Sequence, residues 1–536
     1  VPDTPKGKGH PDASGREGSG EGGADLVVLL HSHMPYVRRN GDWPVGEQWL
    51  LEAWAESYLP VWEIIADLTE GKLRGKLALT LTPVLAEQLK DAYLKDRFQW
   101  YLENRIRQAG EEVRRLRDLG ERERAGLASH YQRHLSGLLS FFRERLRCDM
   151  LKTLREGMEA GVLEVLASAA THAHLPLLGH DRCRRAQVKV GLECYRRDFG
   201  RDPRGFWLPE CAYTPELDPL LEDLSPRPLY VVLDHDAAGP GGSRPTWMPY
   251  RLGTTSLVAL LRDPLAHELV WTPEGYPSRG PYREYCKRDH QGHGFQYWSV
   301  TSTRTPLEDK DIYDPCRAEG RAAEDASDFA ARVSERISAI RRVAGTPSSP
   351  SGGESVARPY LLAAYDTELL GHWWFEGPLW LRQVLDRLAP LCALPAEVAE
   401  RSASGELPVI SPPLTAWNVD GTFSTWRNDL TEGMWEETRL SERRFLSLLA
   451  EGKGGADPGV VAQAGRELLL LEASDWTFMV TRDTAAAYAR DRFRSHLERF
   501  RALLGMAGGE GDFDGLLEEL EETDNLFPWL HAGFWG

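Results

Sequence analysis

Two carboxylates stand where an ordinary surface acid does not belong. Glu210 lies in GFWLPECAY (205–213), behind an apolar run and a helix-breaking proline. Asp366 ends the apolar run YLLAAYD (360–366), ahead of TELLG. A pair of carboxyl groups across one cleft is what glycosidic-bond chemistry requires. One attacks the anomeric carbon, and the other, kept protonated, gives its proton to the leaving oxygen. On residue type alone Glu210 could equally cap the next turn, and Asp234 and Asp263 compete for either role.

His31 and His33 of HSHMPYV close another apolar run. Residues i and i+2 of a strand share a face, so both rings can look the same way. A zinc site would need a third ligand, which His172 or His174 of THAH could offer. The reading preferred here is that these histidines bind hydroxyls or orient the carboxylates, and no metal is assigned. TAWNVDGTFSTW sets Trp417 and Trp426 on either side of a polar turn, either as core or as faces for sugar rings. No glycine-rich phosphate loop and no G-x-S-x-G elbow is present.

The elements that must position these groups are legible as apolar runs. ADLVVLL, KLALTL, GVLEVLASAA, GFWLPE, LYVVLD, TTSLVALLRD and YLLAAYD read as strands separated by helical stretches. That alternation predicts a parallel α/β sheet or barrel, whose chemistry collects after the strand C-termini. His31, His33, Glu210, Asp234, Arg262 and Asp366 each follow such a strand. Residues of about 88–150 carry helical period and dense charge, which predicts a helical insertion in a catalytic barrel spanning 25–395. From 396 to 536 the strands stop and amphipathic helices follow. Residues 1–24 read as a disordered tail without the apolar core of a secretory signal, and GTPSSPSGGESVARP as a flexible loop.

Totals narrow the function. The 536 residues carry a net charge of −17, which disfavours nucleic acid as a partner. Eighteen tryptophans fit a sugar-binding protein. Seven cysteines without any C-x-x-C suggest reduced thiols in a cytoplasm. No apolar run approaches the ~20 residues of a membrane span.

LHSHMPYVRRNGDWPVGEQWLLEAWAESYLPV, GVLEVLASAATHAHLPLLG, GFWLPECAY, YDTELLGHWWFEG and LLLLEASDWTFMV resemble, in order, the motifs of glycoside hydrolase family 57. Within it the similarity is greatest to 1,4-α-glucan branching enzymes, over roughly residues 25–528. The resemblance implies an α/β fold: an incomplete (β/α)7 barrel with an inserted helical domain and a C-terminal helical domain. It implies a retaining mechanism without metal or organic cofactor, acting on an α-glucan. Carried onto matching positions, it makes Glu210 the nucleophile and Asp366 the acid/base. His31, His33, His172, Arg262, Trp271, Trp417, Trp426 and Asp475 would contact sugar, and Trp43 would stand near the cleft entrance. Ser278 replaces a glycine whose backbone approaches substrate. A hydrolase or 4-α-glucanotransferase on the same scaffold is the alternative, and a non-catalytic glucan-binding protein a third. The segment after VVLDHD is shorter than the family's mobile loop and lacks an aligned tyrosine. Trp247 or Tyr250 is expected to substitute if either reaches over the cleft.

Overall fold

The computed structural model of the chain describes residues 24–42, 45–239, 242–302, 304–344, 358–403, 405–450, 457–509 and 515–536. Trp43, nearly all of the N-terminal tail and most of the Gly/Ser/Pro-rich loop lie outside them.

The strands are β1 (Asp25–Ser32), β2 (Leu77–Leu81), β3 (Leu163–Ser168), β4 (Gly205–Trp207), β5 (Tyr230–Leu233), β6 (Tyr250–Leu252), β7 (Val258–Leu261), β8 (Tyr360–Asp366) and β9 (Val409–Ile410). They form one sheet in the order β8-β1-β2-β3-β4-β5-β7-β6-β9. Every pairing from β8 to β7 is parallel. Between β7 and β8 there is no ladder. The two meet through the Asp263 N–H on the Leu362 carbonyl (2.8 Å) and the Leu261 N–H on the Tyr360 hydroxyl (2.6 Å). This is an incomplete (β/α)7 barrel.

All residues of β1, β2 and β3 are buried, which is why their sequences run apolar without alternating. Alternation survives in where each side chain packs. Val27 and Leu29 of β1 join Ala78, Leu166, Trp207, Val232, Leu260 and Leu362 inside the barrel, while Leu26, Val28 and Leu30 pack outward under the helices. The inner face, continued by steps of two, delivers His31, Thr80, Ser168, Asp234, Arg262 and Asp366 to one end. The period of the strands thus selects which polar residues enter the mouth.

Between β2 and β3 the chain forms a helical pair, Ala92–Asp118 and Arg122–Ser140. Asp91 caps the first helix by accepting the Leu94 N–H (2.9 Å). Helices Glu432–Ala450, Pro458–Leu471, Asp475–Arg482 and Ala486–Gly508 follow the barrel. Phe445, Leu468, Leu469, Phe500 and Trp535 form a core there, shared with Cys183, Ala186 and Val190 of barrel helix Asp181–Phe199.

Strands do not stop at 396, contrary to expectation. β9 pairs in parallel with β6, which itself runs antiparallel to β7. Its two residues, in the three-residue stretch between Pro408 and Pro412, are too few to show a period.

Candidate active site

Asp366 is the last residue of β8, in register with His31 of β1. Glu210 follows β4 on a 3-10 turn, Pro209–Cys211. Its backbone is left-handed (φ 60°), as are those of Cys211 (49°) and His172 (56°). Such conformations cost non-glycine residues of order 1–3 kcal/mol each and persist only where surroundings fix them. The Glu210 carbonyl accepts the Trp417 N–H, and Tyr213 and Thr415 exchange both backbone hydrogen bonds. A segment beyond the barrel therefore clamps the turn.

The histidines stack. Ring centroids lie 4.0 Å apart for His33 and His172, 4.9 Å for His31 and His172, and 4.8 Å for His31 and Trp207. Stacked rings present faces to one another, and their nitrogens are used elsewhere. His31 Nδ1 meets Thr80 Oγ1 (3.1 Å), and His33 Nδ1 meets Thr82 Oγ1 (3.0 Å). His33 Nε2 meets Asp475 Oδ1 (2.8 Å), and His172 Nδ1 meets Ser474 Oγ (3.1 Å). Burial holds the pKa of His31 and His172 well below the usual 6.5, so both are neutral at pH 7.

Ser474 Oγ donates to Glu210 Oε1 (3.3 Å), with His172 Nδ1 3.6 Å from the same oxygen. Burial raises Glu210 to a pKa of about 8, helped by the charges of Asp366 and Asp475 and opposed by Ser474 and Trp426. Burial raises Asp366 to about 6, opposed by the positive fields of Arg262 and His33. Both carboxyls are therefore held above their ordinary range in one dry mouth.

Arg262 is buried rather than offered to the mouth. Its guanidinium donates to Asp234 (2.5 Å) and His267 (2.7 Å) and covers the Trp417 ring at 4.2 Å. Asp234 is thus committed to Arg262. Asp263 caps helix Pro264–Trp271 and pairs with Arg336 (3.3 Å), which removes both competitors for the catalytic roles. Trp417 is half-buried, with Trp207 edge-on at 5.6 Å, so one face is already taken. Trp426 is 1 % exposed and corrects the expectation of an open platform. It packs on His174 (5.1 Å) and Phe478 (6.3 Å) and turns its indole N–H toward Glu210, without closing a hydrogen bond of normal geometry. A tryptophan beside a polar turn is not thereby exposed when a helix packs behind it.

A family model described as glycosyl hydrolase family 57 matches residues 27–311, more than half of the chain. The chain belongs to glycosyl hydrolase family 57. A second model, for the C-terminal region of 1,4-alpha-glucan branching enzymes, matches residues 440–535. The 1,4-alpha-glucan branching enzyme of Thermococcus kodakarensis is 33 % identical over 95 % of this chain and 78 % of its own length. The crystal structure of a family 57 branching enzyme from Pyrococcus horikoshii superposes with a TM-score of 0.86 at 34 % identity, covering 96 % of this chain and 97 % of that one. An alpha-amylase from Thermotoga maritima superposes at 0.82 with 26 % identity, covering 96 % and 99 %.

Within this family 57 mouth the structure gathers His31, His33, His172, Glu210, Asp366 and Asp475, with Arg262, Trp417 and Trp426 around them. Trp271 ends helix Pro264–Trp271 half-buried, and Ser278 ends a 3-10 turn. Among the described residues no hydrogen bond or ring contact ties either to the cluster. The expected substitutes over the cleft are elsewhere. The Trp247 carbonyl accepts the N–H of Tyr360, the first residue of β8, ~20 Å along that strand from Asp366. Tyr250 is buried in β6 with its hydroxyl on the Pro245 carbonyl (2.7 Å). A chain that turns down to form an antiparallel strand cannot also arch over the mouth.

Sequence reasoning passed over Ser474, Trp207 and Glu368. Glu368 accepts from the Tyr58 hydroxyl and the His33 N–H (3.2 Å), and burial lifts it to about 8. Its signal was its place two residues past Asp366 in YDTEL. Ser474, between Ala473 and Asp475 in LLEASDW, carried none.

Proposed function

We propose that this chain is a retaining 1,4-α-glucan branching enzyme. The observation that carries the reading is one mouth holding Glu210 and Asp366, both raised by burial, in a chain similar along nearly its whole length to branching enzymes. Glu210 attacks the anomeric carbon of an α-1,4 bond and holds the donor chain covalently, while Asp366 protonates the leaving oxygen. Asp366 then takes the proton of an acceptor 6-hydroxyl, and an α-1,6 branch forms with net retention.

This order needs the proton on Asp366 and the charge on Glu210. The Ser474 hydroxyl and the Trp426 N–H favour the ionised form of Glu210. His31 and His172, both neutral, serve as hydroxyl partners; His172 keeps Ser474 oriented and His33 holds Asp475. The substrate is a neutral α-glucan, and neither a nucleic acid nor a membrane is a partner. Seven free thiols fit a cytoplasmic setting, and among the described residues no helix is long and apolar enough to cross a membrane.

A larger hydrolytic share is favoured by one observation: Trp247 and Tyr250 stand away from the mouth, so neither shields the covalent intermediate from water. The test is to incubate the protein with amylose, debranch the product and size its chains, while counting reducing ends. Short chains released only on debranching are expected. Reducing ends without branch points would replace branching with hydrolysis.

A further inference from the structure

Among the described residues, four groups bring at least three carboxylate, thiol or imidazole ligand atoms within 4.8 Å of one another. Three contain their own cation. The Lys90 ammonium bridges Glu87 (2.6 Å) and Asp198 (2.5 Å) beside Cys194. The Arg262 guanidinium sits on Asp234 (2.5 Å) in the group with His235 and Asp236. Arg499 pairs with Asp524 in the group with Glu467 and His496, where Arg492 also meets His496 (2.7 Å).

The fourth group, Cys183, Glu442 and Glu472, is built differently. No described Lys, Arg or His forms an ion pair with either carboxylate, and Arg184, Arg439 and Arg443 act on Glu442 only from further away. Cys183 and Glu472 are 0 % exposed and Glu442 is 1 % exposed. Glu442 Oε1 accepts the Gly179 N–H (3.1 Å), and Glu472 Oε2 accepts the Gln187 amide (2.7 Å). The other oxygen of each, Glu442 Oε2 and Glu472 Oε1, is buried without a hydrogen-bond partner. Two such oxygens beside a thiol in a dry interior are costly when ionised; a proton relieves one of them, whereas a cation would join both to the sulfur.

We infer that Cys183, Glu442 and Glu472 bind one divalent transition-metal cation of the zinc class. A thiolate excludes the hard ions calcium and magnesium, and zinc accepts sulfur and carboxylate together. Binding replaces the Cys183 thiol proton, which leaves to solvent, with a sulfur–metal bond. No electron moves. The ligands come from three places: helix Asp181–Phe199 of the barrel, helix Glu432–Ala450, and the residue after helix Pro458–Leu471. The ion would staple the C-terminal helices to the barrel two residues before Ser474. It takes no part in the reaction, and the inference stands whatever glucan chemistry the mouth performs.

The test uses the full chain produced with Zn²⁺ in the medium and purified without chelator. About one equivalent of zinc per chain is expected by elemental mass spectrometry. Cys183→Ser and Glu472→Gln, each checked for native near-UV circular dichroism, should lower it at least ~10-fold. Protein produced with Co²⁺ should show a thiolate-to-cobalt charge-transfer band that Cys183→Ser loses and Cys286→Ser keeps. Wild type without bound metal, or with cobalt but no thiolate band, overturns the inference even if the variants fail to fold. Metal content unchanged in a folded Cys183→Ser overturns it as well.

Discussion

Glu210 and Asp366 share one mouth but are held by different parts of the molecule. Asp366 closes a seven-residue strand in register with β1, so the barrel alone fixes it. Glu210 follows a three-residue strand, sits at φ 60° and is clamped by Trp417 and Ser474 from the region beyond the barrel. Their electrostatics differ in the same sense. Asp366 feels Arg262 and His33, whereas Glu210 has only two neutral donors against two like charges. A regular strand positions one group with cationic support, and a strained turn positions the other with dipoles. Damage at the two corners should therefore be distinguishable.

Removing either carboxyl is the largest effect. Glu210→Gln and Asp366→Asn should each lower turnover on amylose by at least ~10⁴-fold. They part company with a substrate whose leaving group needs no proton, such as an α-glucosyl fluoride carrying a short α-1,4 chain. Asp366→Asn should then regain the first step and accumulate glycosyl-enzyme visible by mass spectrometry. Glu210→Gln should not. Covalent intermediate in Glu210→Gln, or none in Asp366→Asn, would exchange or remove the two roles.

The second effect is on stability. The folded pKa of Glu210, about 8, lies above its ordinary 4.5. A raised carboxyl stabilises the fold fully below the unfolded pKa, and that contribution is lost as pH rises through the folded one. Wild type should therefore lose roughly 3–5 kcal/mol across this window, while Glu210→Gln does not. The thermal midpoint of the variant should gain on wild type from about pH 5 to about pH 9. A constant difference would mean that the buried charge is not unfavourable.

The barrel corner was far more legible in the sequence than the other. Long apolar runs with period two place His31, Arg262 and Asp366 by arithmetic, because strands buried on both faces carry their signal in every residue. Glu210 was found by its oddity after Pro209 and by family motif, but nothing local announced its clamps. Ser474 and Trp417 reach it from segments whose own patterns are helical or irregular. Trp426 was misread because exposure depends on what packs behind a turn, and that packing is a tertiary fact. β6 and β9 went unread because YRL and VI sit in proline-interrupted, polar stretches without an apolar run, and with them went the true path of residues 245–252.

Ser474→Ala tests the dipolar support directly. Without the hydroxyl the ionised form of Glu210 loses a donor, so its pKa rises further above about 8. The bell-shaped pH profile of kcat/KM, with wild-type limbs near about 6 and about 8, should keep its acid limb and move its alkaline limb upward. The plateau should fall ~10-fold, because less of the enzyme then carries an ionised Glu210. A uniform loss without movement of the alkaline limb would make Ser474 a packing residue.

The smallest expected effect concerns residues 245–252, at the edge of the sheet. Transfer wins over hydrolysis only if an acceptor chain outcompetes water through its effective concentration in the cleft. An aromatic arching over the mouth would help by excluding water. Here Trp247 is tied to the first residue of β8, and the Tyr250 hydroxyl is spent on Pro245. Trp247 can supply that cover only by leaving Tyr360, and Tyr250 only by leaving β7. Trp247→Ala and Tyr250→Phe should therefore leave the ratio of α-1,6 linkages formed to reducing ends released within about twofold of wild type, a change worth only ~0.4 kcal/mol in relative barrier. Tyr250→Phe should instead lower the thermal midpoint, since it removes a partner from the Pro245 carbonyl. A fall of tenfold or more in the branching ratio for Trp247→Ala, with the fold intact, would mean that this segment leaves its place on the sheet during turnover and that the nucleophile corner is covered by motion.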